Sequence, residues 1–444
     1  MKNFEKYGKQ YDWKKPVQRK WVDREIEKAP RWCSVDLRDG NQALANPMTL
    51  QEKIEFFDYL VKIGFKDIEV GFPAASQTEF DFVRYLIENN KIPDDVRIQV
   101  LTQAREKIIA KTFESLVGAK QAIVHVYNST SKAQREQVFR KSKEEVKEIA
   151  TNGAKIVREY AEKYTSTDWT FEYSPESFTG TEMDYAVDVI NAVTEVWNGA
   201  TKNNIIINLP STVECSMPNV FADQIEYVCE NLKNRENLTI SVHPHNDRGT
   251  ATAASEMAIL AGADRVEGTI FGNGERTGNA DIVNIAMNMY TLGIDPELDL
   301  SNMNEIKKNY LKFVKMPIHP RHPYVGDNVY VAYSGSHQDA IAKGFKFGDE
   351  KQNEKWNVPY LPIDPGDIGR EYEPIRINAQ AGKGGISYVL KQKFGIEIPE
   401  EKREEFSYFV KDLADRAGRE ISFEEIYNVY TKWEKSKQVR GLDD

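Results

Sequence analysis

Two histidines one residue apart, His243 and His245, lie in the run Thr-Ile-Ser-Val-His-Pro-His-Asn-Asp-Arg-Gly over residues 239–249. A strand sends alternate side chains to one face, so an H-x-H at a strand end aims two imidazoles at one point. Two imidazoles beside a carboxylate grip a divalent metal. On its own an H-x-H reads first as a polar strand end with surface histidines. An acidic partner elsewhere in the chain decides between the two.

Asp36-Leu-Arg38-Asp39-Gly supplies one. Asp39 can ligate a metal, and Arg38 beside it can hold a carboxylate or stabilise a developing oxyanion. A salt-bridged strand end before a glycine turn fits the same residues. A glycine-rich loop, Phe271-Gly-Asn-Gly-Glu-Arg-Thr-Gly-Asn279, allows close backbone approach to a ligand and offers Asn279 as a neutral oxygen ligand. An ordinary surface turn would look alike. Taken together, Asp39, His243, His245 and Asn279 with two open positions form an N2O2 site for Mg2+, Mn2+ or Zn2+, and open positions belong to catalytic sites.

Further candidates stand at the ends of apolar runs. Glu176, just past Glu172-Tyr-Ser-Pro, is a candidate general base or its partner, or else a helix-start carboxylate after proline. Asn208 and Thr212 offer an amide and a hydroxyl to a polar substrate, although Thr212 also suits an N-cap. His125, Tyr127 and Asn128 line a pocket or fill an interior. Beyond these runs, Ser334-Gly-Ser-His337-Gln-Asp and Trp356-Asn-Val-Pro-Tyr360 read as loop-like segments with reactive side chains. His319 and His322 sit among prolines and read as structural.

The elements that must position these residues are visible as short apolar runs. They begin at Cys33, Ile68, Ile98, Ala122, Trp169, Ile205, Leu238 and Arg265, separated by charged segments. Two of those segments, Gln51 to Ile63 and Lys143 to Tyr164, carry helical apolar spacing. Strands alternating with helices imply parallel pairing through crossovers. Eight such repeats over about 260 residues predict an α/β fold, a (β/α)8 TIM barrel, rather than an open doubly wound sheet. The glycine loop at Gly272 is out of register for G-x-G-x-x-G and follows the last run instead of the first. The expected layout is an N-terminal arm over residues 1–30 (with Tyr11, Trp13 and Trp21), a barrel over 31–320, and a smaller, partly helical C-terminal subdomain over 321–444. In that subdomain, helices are expected around Glu401–Ala417 and Phe423–Lys437.

The 444 residues carry a net charge of −10, which argues against a nucleic-acid surface but not against a local site for a small anion. Three cysteines (Cys33, Cys215, Cys229) without C-x-x-C spacing argue against a disulfide framework and for a reducing compartment. No run approaches the roughly 18 apolar residues of a membrane span, and the N-terminus has no apolar signal region. The expectation is a soluble cytoplasmic protein with small-molecule ligands.

Leu37-Arg-Asp-Gly-Asn-Gln, Val242-His-Pro-His-Asn-Asp and Gly274-Glu-Arg-Thr-Gly-Asn-Ala together resemble the DRE-TIM metallolyases. Within them the chain resembles the longer-type 2-isopropylmalate synthases, through Glu69-Val-Gly-Phe-Pro-Ala-Ala-Ser, Val124-His-Val-Tyr-Asn-Ser-Thr-Ser, Glu172-Tyr-Ser-Pro-Glu-Ser-Phe and Asn208-Leu-Pro-Ser-Thr-Val-Glu. Ser334-Gly-Ser-His-Gln-Asp-Ala and Val358-Pro-Tyr-Leu-Pro-Ile-Asp-Pro extend the likeness beyond the barrel. The resemblance implies Claisen-type condensation of acetyl-CoA with 2-oxoisovalerate and thioester hydrolysis, giving 2-isopropylmalate and CoA in leucine biosynthesis. It implies Asp39, His243, His245 and Asn279 as metal ligands. It places Arg38, Thr212, His125, Tyr127 and Asn208 around the 2-oxo acid. It assigns Glu176, His337 and Tyr360 to proton transfer, and it implies a homodimer whose active site is completed by the partner subunit.

The longer-type synthases continue into a leucine-sensing regulatory domain, whereas this chain stops at Asp444. That domain, and feedback through it, are expected to be absent. Homocitrate and citramalate synthases share the core motifs and differ in the pocket for the 2-oxo acid side chain. A hydroxymethylglutaryl-CoA-lyase-like cleavage enzyme is opposed by the Ser334–His337 unit. A non-catalytic metabolite-binding protein is opposed by the intact Asp39, His243, His245, Glu176 and His337 set.

Overall fold

The computed structural model describes residues 3–8, 13, 18–201, 203, 205–351, 355–372, 376–379 and 381–440. Tyr11 of the expected arm lies outside them. The chain divides into two units, one of residues 1–300 and 308–317, the other of 301–307 and 318–444.

The first unit is a closed barrel of eight parallel strands in sequence order, as the alternation of runs predicts. The strands are β1 (Arg31–Ser34), β2 (Asp67–Gly71), β3 (Arg97–Gln103), β4 (Gln121–Ser129), β5 (Asp168–Glu176), β6 (Ile205–Ser211), β7 (Leu238–Pro244) and β8 (Arg265–Gly268). Closure comes from β1 pairing with β8, Trp32 opposite Val266 and Ser34 opposite Gly268. Helices α1 (Leu50–Ile63), α2 (Gln77–Glu88), α3 (Glu106–Leu116), α4 (Lys143–Lys163), α5 (Met183–Trp197), α6 (Pro218–Asn231), α7 (Ala251–Leu260) and α8 (Ile282–Thr291) follow the strands in turn.

Local signals set their ends. Thr49 and Glu52 form a capping box at the start of α1, and Gly64 ends it at φ 114°. Ser142 and Glu145 do the same for α4. Val146, Ala150, Ala154, Val157 and Ala161 recur there at helical spacing and are buried, so one stripe of α4 faces the barrel wall.

The barrel interior departs from the usual layers of branched aliphatics. Outward positions such as Ile68, Val70 and Val266 are apolar and buried. Alternate positions place Asp67, Glu69, Gln99, His125, Glu172, Ser241, Arg265 and Glu267 inside, all buried and polar. At the N-terminal end of the strands, Asp67 accepts hydrogen bonds from Arg31, Arg97 and Arg265 at 2.8–2.9 Å. One carboxylate thus ties strands β1, β2, β3 and β8.

Helix α9 (Met303–Phe313) gives its first residues to the second unit and its last to the first. The second unit also holds α10 (Gly335–Lys351), α11 (Lys383–Phe394), α12 (Arg403–Ala417) and α13 (Phe423–Arg440). Ile386, Leu390, Phe406, Val410 and Ile426 form its fully buried centre. Ser334–Asp339 was expected to be loop-like. Instead it opens α10, whose glycines Gly335, Gly344 and Gly348 blur the apolar spacing. Gly344 leaves room for Pro359, which a side chain there would strike. No helix among the described residues is long and apolar enough to cross a membrane.

Candidate active site

At the C-terminal ends of the strands, where barrel sites are built, a cavity of about 430 Å³ opens. After β1 the chain makes a π-helical turn, Asp36–Gly40, carrying Arg38 and Asp39. The backbone N–H of Ile270 donates to both Asp36 oxygens at 3.1 and 3.2 Å, and Asn273 donates to the Gly40 carbonyl at 2.9 Å. Residues beyond β8 therefore hold the turn that presents Asp39.

Burial lifts the Asp36 carboxyl to about 7, against the pull of the Ser34 hydroxyl and the Ile270 N–H. An acid whose folded value is raised binds its proton more tightly in the fold. It then stabilises fully below about pH 4 and loses that contribution as pH climbs toward 7. Asp36→Asn is expected to flatten the decline in melting temperature between about pH 4 and 7. Parallel melting curves of parent and variant over that range would contradict it.

Asp39 Oδ2 lies 3.3 Å from His243 Nε2 and 3.2 Å from His245 Nε2, while its Oδ1 accepts from Arg38 Nη1 at 3.0 Å. Burial opposes ionisation of Asp39, yet Arg38 and the two imidazoles outweigh it and hold the carboxyl well below its usual range. His243 turns its other nitrogen, Nδ1, to Glu267 at 2.7 Å, the carboxylate–histidine pairing that orients a metal-ligating ring. Asn279 sits across an antiparallel bridge from His245. Its Nδ2 donates to the Asn273 carbonyl at 3.0 Å, and its buried Oδ1 has no hydrogen-bond partner among the described residues. A buried acceptor without a donor is costly. A cation beside Asp39, His243 and His245 would satisfy it. This donor set fits a divalent metal.

Arg38 Nε donates to Glu69 at 2.5 Å, and Glu69 also meets His125 Nδ1 at 2.9 Å. His125 Nε2 reaches the Ser174 hydroxyl at 2.7 Å, so both of its nitrogens are engaged within the barrel. Gln99 Nε2 stands among three carboxylates, 3.2 Å from Glu69, 3.0 Å from Glu267 and 3.5 Å from Glu172. Burial and the neighbouring Glu267 raise Glu172 well above the usual carboxylate range. His125, Glu172 and Glu267 are close enough to hold a second metal. Gln99 and Arg265 already fill their centre, which makes them a hydrogen-bonded support.

Arg38, Asp39, His125, Tyr127, Glu176, Asn208, Thr212, His243 and His245 all line the one cavity. Ser129 donates its hydroxyl to Glu176. Thr212 Oγ1 accepts from the Ser177 N–H at 2.9 Å, which leaves the Thr212 proton for a ligand. Asn208 donates to Glu267 and Ser174, and its buried Oδ1 has no partner among the described residues. His337 and Tyr360 belong to the second unit, where their exposed rings stack at 4.0 Å.

The sequence reading did not single out Glu69, Gln99, Glu172, Arg265, Glu267 or the Arg276–Asp247 pair as site residues. The available signal was a charged or amide side chain at alternate positions of otherwise apolar strands. Arg276, at φ 56°, donates to Asp247 at 2.6 Å and to the Thr212 carbonyl at 2.6 Å. It thereby joins the loops after β6, β7 and β8, and no spacing rule would have paired it.

Residues 29–309 match the HMGL-like family, and residues 327–391 match the alpha-isopropylmalate synthase post-catalytic domain-like family. The 2-isopropylmalate synthase of Acetoanaerobium sticklandii is 58% identical over 429 residues, 96% of this chain and 75% of that protein. That of Helicobacter hepaticus is 58% identical over 431 residues, 96% of this chain and 77% of its own length. Among solved structures, hydroxymethylglutaryl-CoA lyase from Pseudomonas aeruginosa superposes with a TM-score of 0.53 at 20% identity, covering 65% of this chain and 94% of its own. That likeness shows the shared barrel. By its family matches and by identity across nearly its whole length, the chain belongs to the 2-isopropylmalate synthase family of HMGL-like proteins.

Proposed function

We propose that the protein condenses acetyl-CoA with 2-oxoisovalerate and hydrolyses the resulting thioester, releasing 2-isopropylmalate and CoA. The observation that carries this reading is the convergence of Arg38, Thr212 and the Asp39–His243–His245 donors on one cavity whose lining also includes Phe72, Leu101 and Pro210, with Asn279 bridged to His245 beside it. Asp39, His243 and His245 would hold a divalent ion, which would supply Lewis acidity toward a bound 2-oxo acid.

Arg38 Nη2 makes no hydrogen bond among the described residues, so it remains for the substrate carboxylate. The Thr212 hydroxyl donates to the same group, and the isopropyl side chain faces Phe72, Leu101 and Pro210. A dicarboxylate 2-oxo acid would need a second cation. The other lining arginine, Arg276, is already bound to Asp247 and the Thr212 carbonyl. This supports a monocarboxylate with a branched apolar chain over the homocitrate-type substrate.

Condensation forms a bond between the acetyl methyl carbon and the keto carbon, and the methyl must first lose a proton. We assign that proton to His337, supported by its exposed imidazole stacked on Tyr360, with Glu176 as its acidic counterpart in the barrel. The reading includes a homodimer whose partner subunit completes the site, and a cytoplasmic setting supported by three cysteines that form no disulfide among the described residues. His337→Ala is expected to lower kcat by at least about 10²-fold, the scale of a lost general base, with 2-oxo acid and metal binding retained. Collapse of that binding would make the residue structural.

The test of the whole reading is release of CoA thiol from acetyl-CoA against a panel of 2-oxo acids, with and without EDTA. Turnover with 2-oxoisovalerate that EDTA abolishes supports it. Preference for pyruvate or 2-oxoglutarate, or no thiol release, overturns it. Arg276→Ala should raise KM for the 2-oxo acid by about tenfold, roughly the value of one charge-assisted hydrogen bond, with kcat less affected. Equal losses in kcat alone would remove Arg276 from substrate positioning.

A further inference from the structure

The start of α2 breaks a local rule that the starts of α1 and α4 obey. Thr49 with Glu52, and Ser142 with Glu145, each close a capping box, the glutamate returning to the backbone N–H of the cap. Ser76-Gln-Thr-Glu79 carries the same pattern, and Ser76 Oγ accepts the Glu79 N–H at 3.3 Å. The Glu79 carboxylate goes elsewhere. Its Oε2 accepts the N–H of Phe72 at 3.2 Å, and its Oε1 accepts from Lys53 Nζ of α1.

Two further features serve that diversion. Lys53 is the only buried lysine among the described residues, and its ammonium sits 5.0 Å from the centre of the Phe82 ring. Burial pulls this group below its usual range, against the opposing pull of Glu79. A buried ammonium facing one carboxylate is costly, and capping a helix does not require it. Gly71, the last residue of β2, is the second feature. Any side chain there would strike Glu79 Oε2, so a bare backbone lets the carboxylate reach the next residue.

What the carboxylate holds belongs to the active-site wall. Phe72 follows β2 at the C-terminal rim of the barrel and lines the 430 Å³ cavity. Its carbonyl accepts the Ala75 N–H at 2.9 Å, so both polar groups of its backbone are engaged. Leu101 and Pro210, in the same lining, stand on strands β3 and β6. Phe72 stands on a loop and needs another anchor. A local rule broken beside a cavity, with a buried charge and a glycine to sustain it, marks a functional constraint.

We propose that Lys53 and Glu79 are positioning residues that fix the Phe72 loop, and that the fixed Phe72 ring selects 2-oxo acids with a branched apolar side chain. Neither Lys53 nor Glu79 lines the cavity; both act through the Phe72 backbone. The selectivity rests on the condensation proposed above. Without the Lys53 charge, Glu79 is free to return to the Ser76 N–H and close the box. Helix α2 then stays capped while the pocket wall loosens.

The test uses the whole metal-loaded chain, with CoA release read on 2-oxoisovalerate and on pyruvate, and hydrogen exchange read at the Phe72 amide. Lys53→Met is expected to raise KM for 2-oxoisovalerate by about tenfold, the low end of discrimination by an apolar pocket, with kcat little changed. KM for pyruvate, which offers a single methyl, should not move, so preference for the branched acid falls by the same factor. The Phe72 amide should exchange faster than in the parent. Phe72→Ala should reproduce the loss of preference, and adding Lys53→Met to it should cost nothing more. Melting curves show whether each variant folds. The double variant Lys53→Met with Glu79→Ala, which leaves neither charge buried alone, serves if Lys53→Met does not. Equal losses of kcat on both acids, a Phe72 amide as protected as in the parent, or losses that add in the Phe72→Ala background would each overturn the proposal. A parent that turns over no 2-oxo acid defeats the condensation and this selectivity together. A parent active on 2-oxoisovalerate whose variants keep its preference defeats this inference alone.

Discussion

Asp39→Ala is expected to reduce CoA release by at least about 10³-fold and to weaken binding of Mn2+ or Zn2+ in the same preparation. Asp39 Oδ2 is the one carboxylate oxygen that both His243 and His245 approach, at 3.3 and 3.2 Å. A Lewis acid at a developing alkoxide contributes several kcal/mol, and each 1.36 kcal/mol is a factor of ten in rate. The variant should still fold, because Arg38 keeps its ion pair with Glu69 at 2.5 Å. EDTA should lower the parent to the level of the variant and do nothing further to the variant. Metal affinity unchanged in a dead variant would assign Asp39 to something other than the metal. Activity within tenfold of the parent would remove it from the chemistry.

Asp67→Asn is expected to destabilise the barrel by about 3–5 kcal/mol, the cost of stripping one partner from a buried ionic cluster. Asp67 is fully buried and accepts five hydrogen bonds from Arg31, Arg97 and Arg265. An asparagine keeps the shape but removes the charge, and its amide nitrogen would face guanidinium donors with nothing to accept. Arg265 retains Glu267 at 2.8 Å, so the uncompensated charges are chiefly Arg31 and Arg97. Burial opposes ionisation of Asp67, and the three guanidiniums outweigh it, holding the carboxyl well below the usual range. A depressed carboxyl stabilises above its unfolded value near 4 and loses that contribution as pH falls below it. The parent should therefore lose stability toward acid more steeply than the variant. Urea unfolding followed by tryptophan fluorescence at pH 7 and about pH 3.5 measures both effects. Coincident midpoints for parent and variant at pH 7 would refute the ion-pair account.

Neither effect follows from motif spacing alone, and the reason lies in how a barrel is wound. His243 and His245 could be paired with each other from sequence because a strand repeats every two residues. Their acid lies 204 residues from His243, and it was reachable because strand ends share one rim in a barrel of alternating strands and helices. The eight strands were likewise visible, since each apolar run needs a covering helix and the covering helices carry their own caps and stripes.

The polar interior was not visible in the same way. Glu69, Gln99, Glu172 and Glu267 each look like an isolated interruption of an apolar strand. Only closure of β1 on β8 places them around one another and around Arg265. The same closure raises the Glu172 carboxyl above the usual range while Glu69 and Glu267 are held below it. The helix at Gly335–Lys351 was hidden for a different reason: its three glycines, of which Gly344 lies against Pro359, blur the helical stripe.

The sequence by itself therefore determined the barrel and named candidate metal donors at its rim and candidate residues after several of its strands. Those depend on local period and on which end of a strand a residue occupies. Tertiary structure alone decided which charges neutralise one another inside the barrel, that Arg276 ties the Thr212 carbonyl and Asp247 together, and that Asn279 bridges to His245. Those facts depend on distances between chain segments, and no sequence period carries a distance.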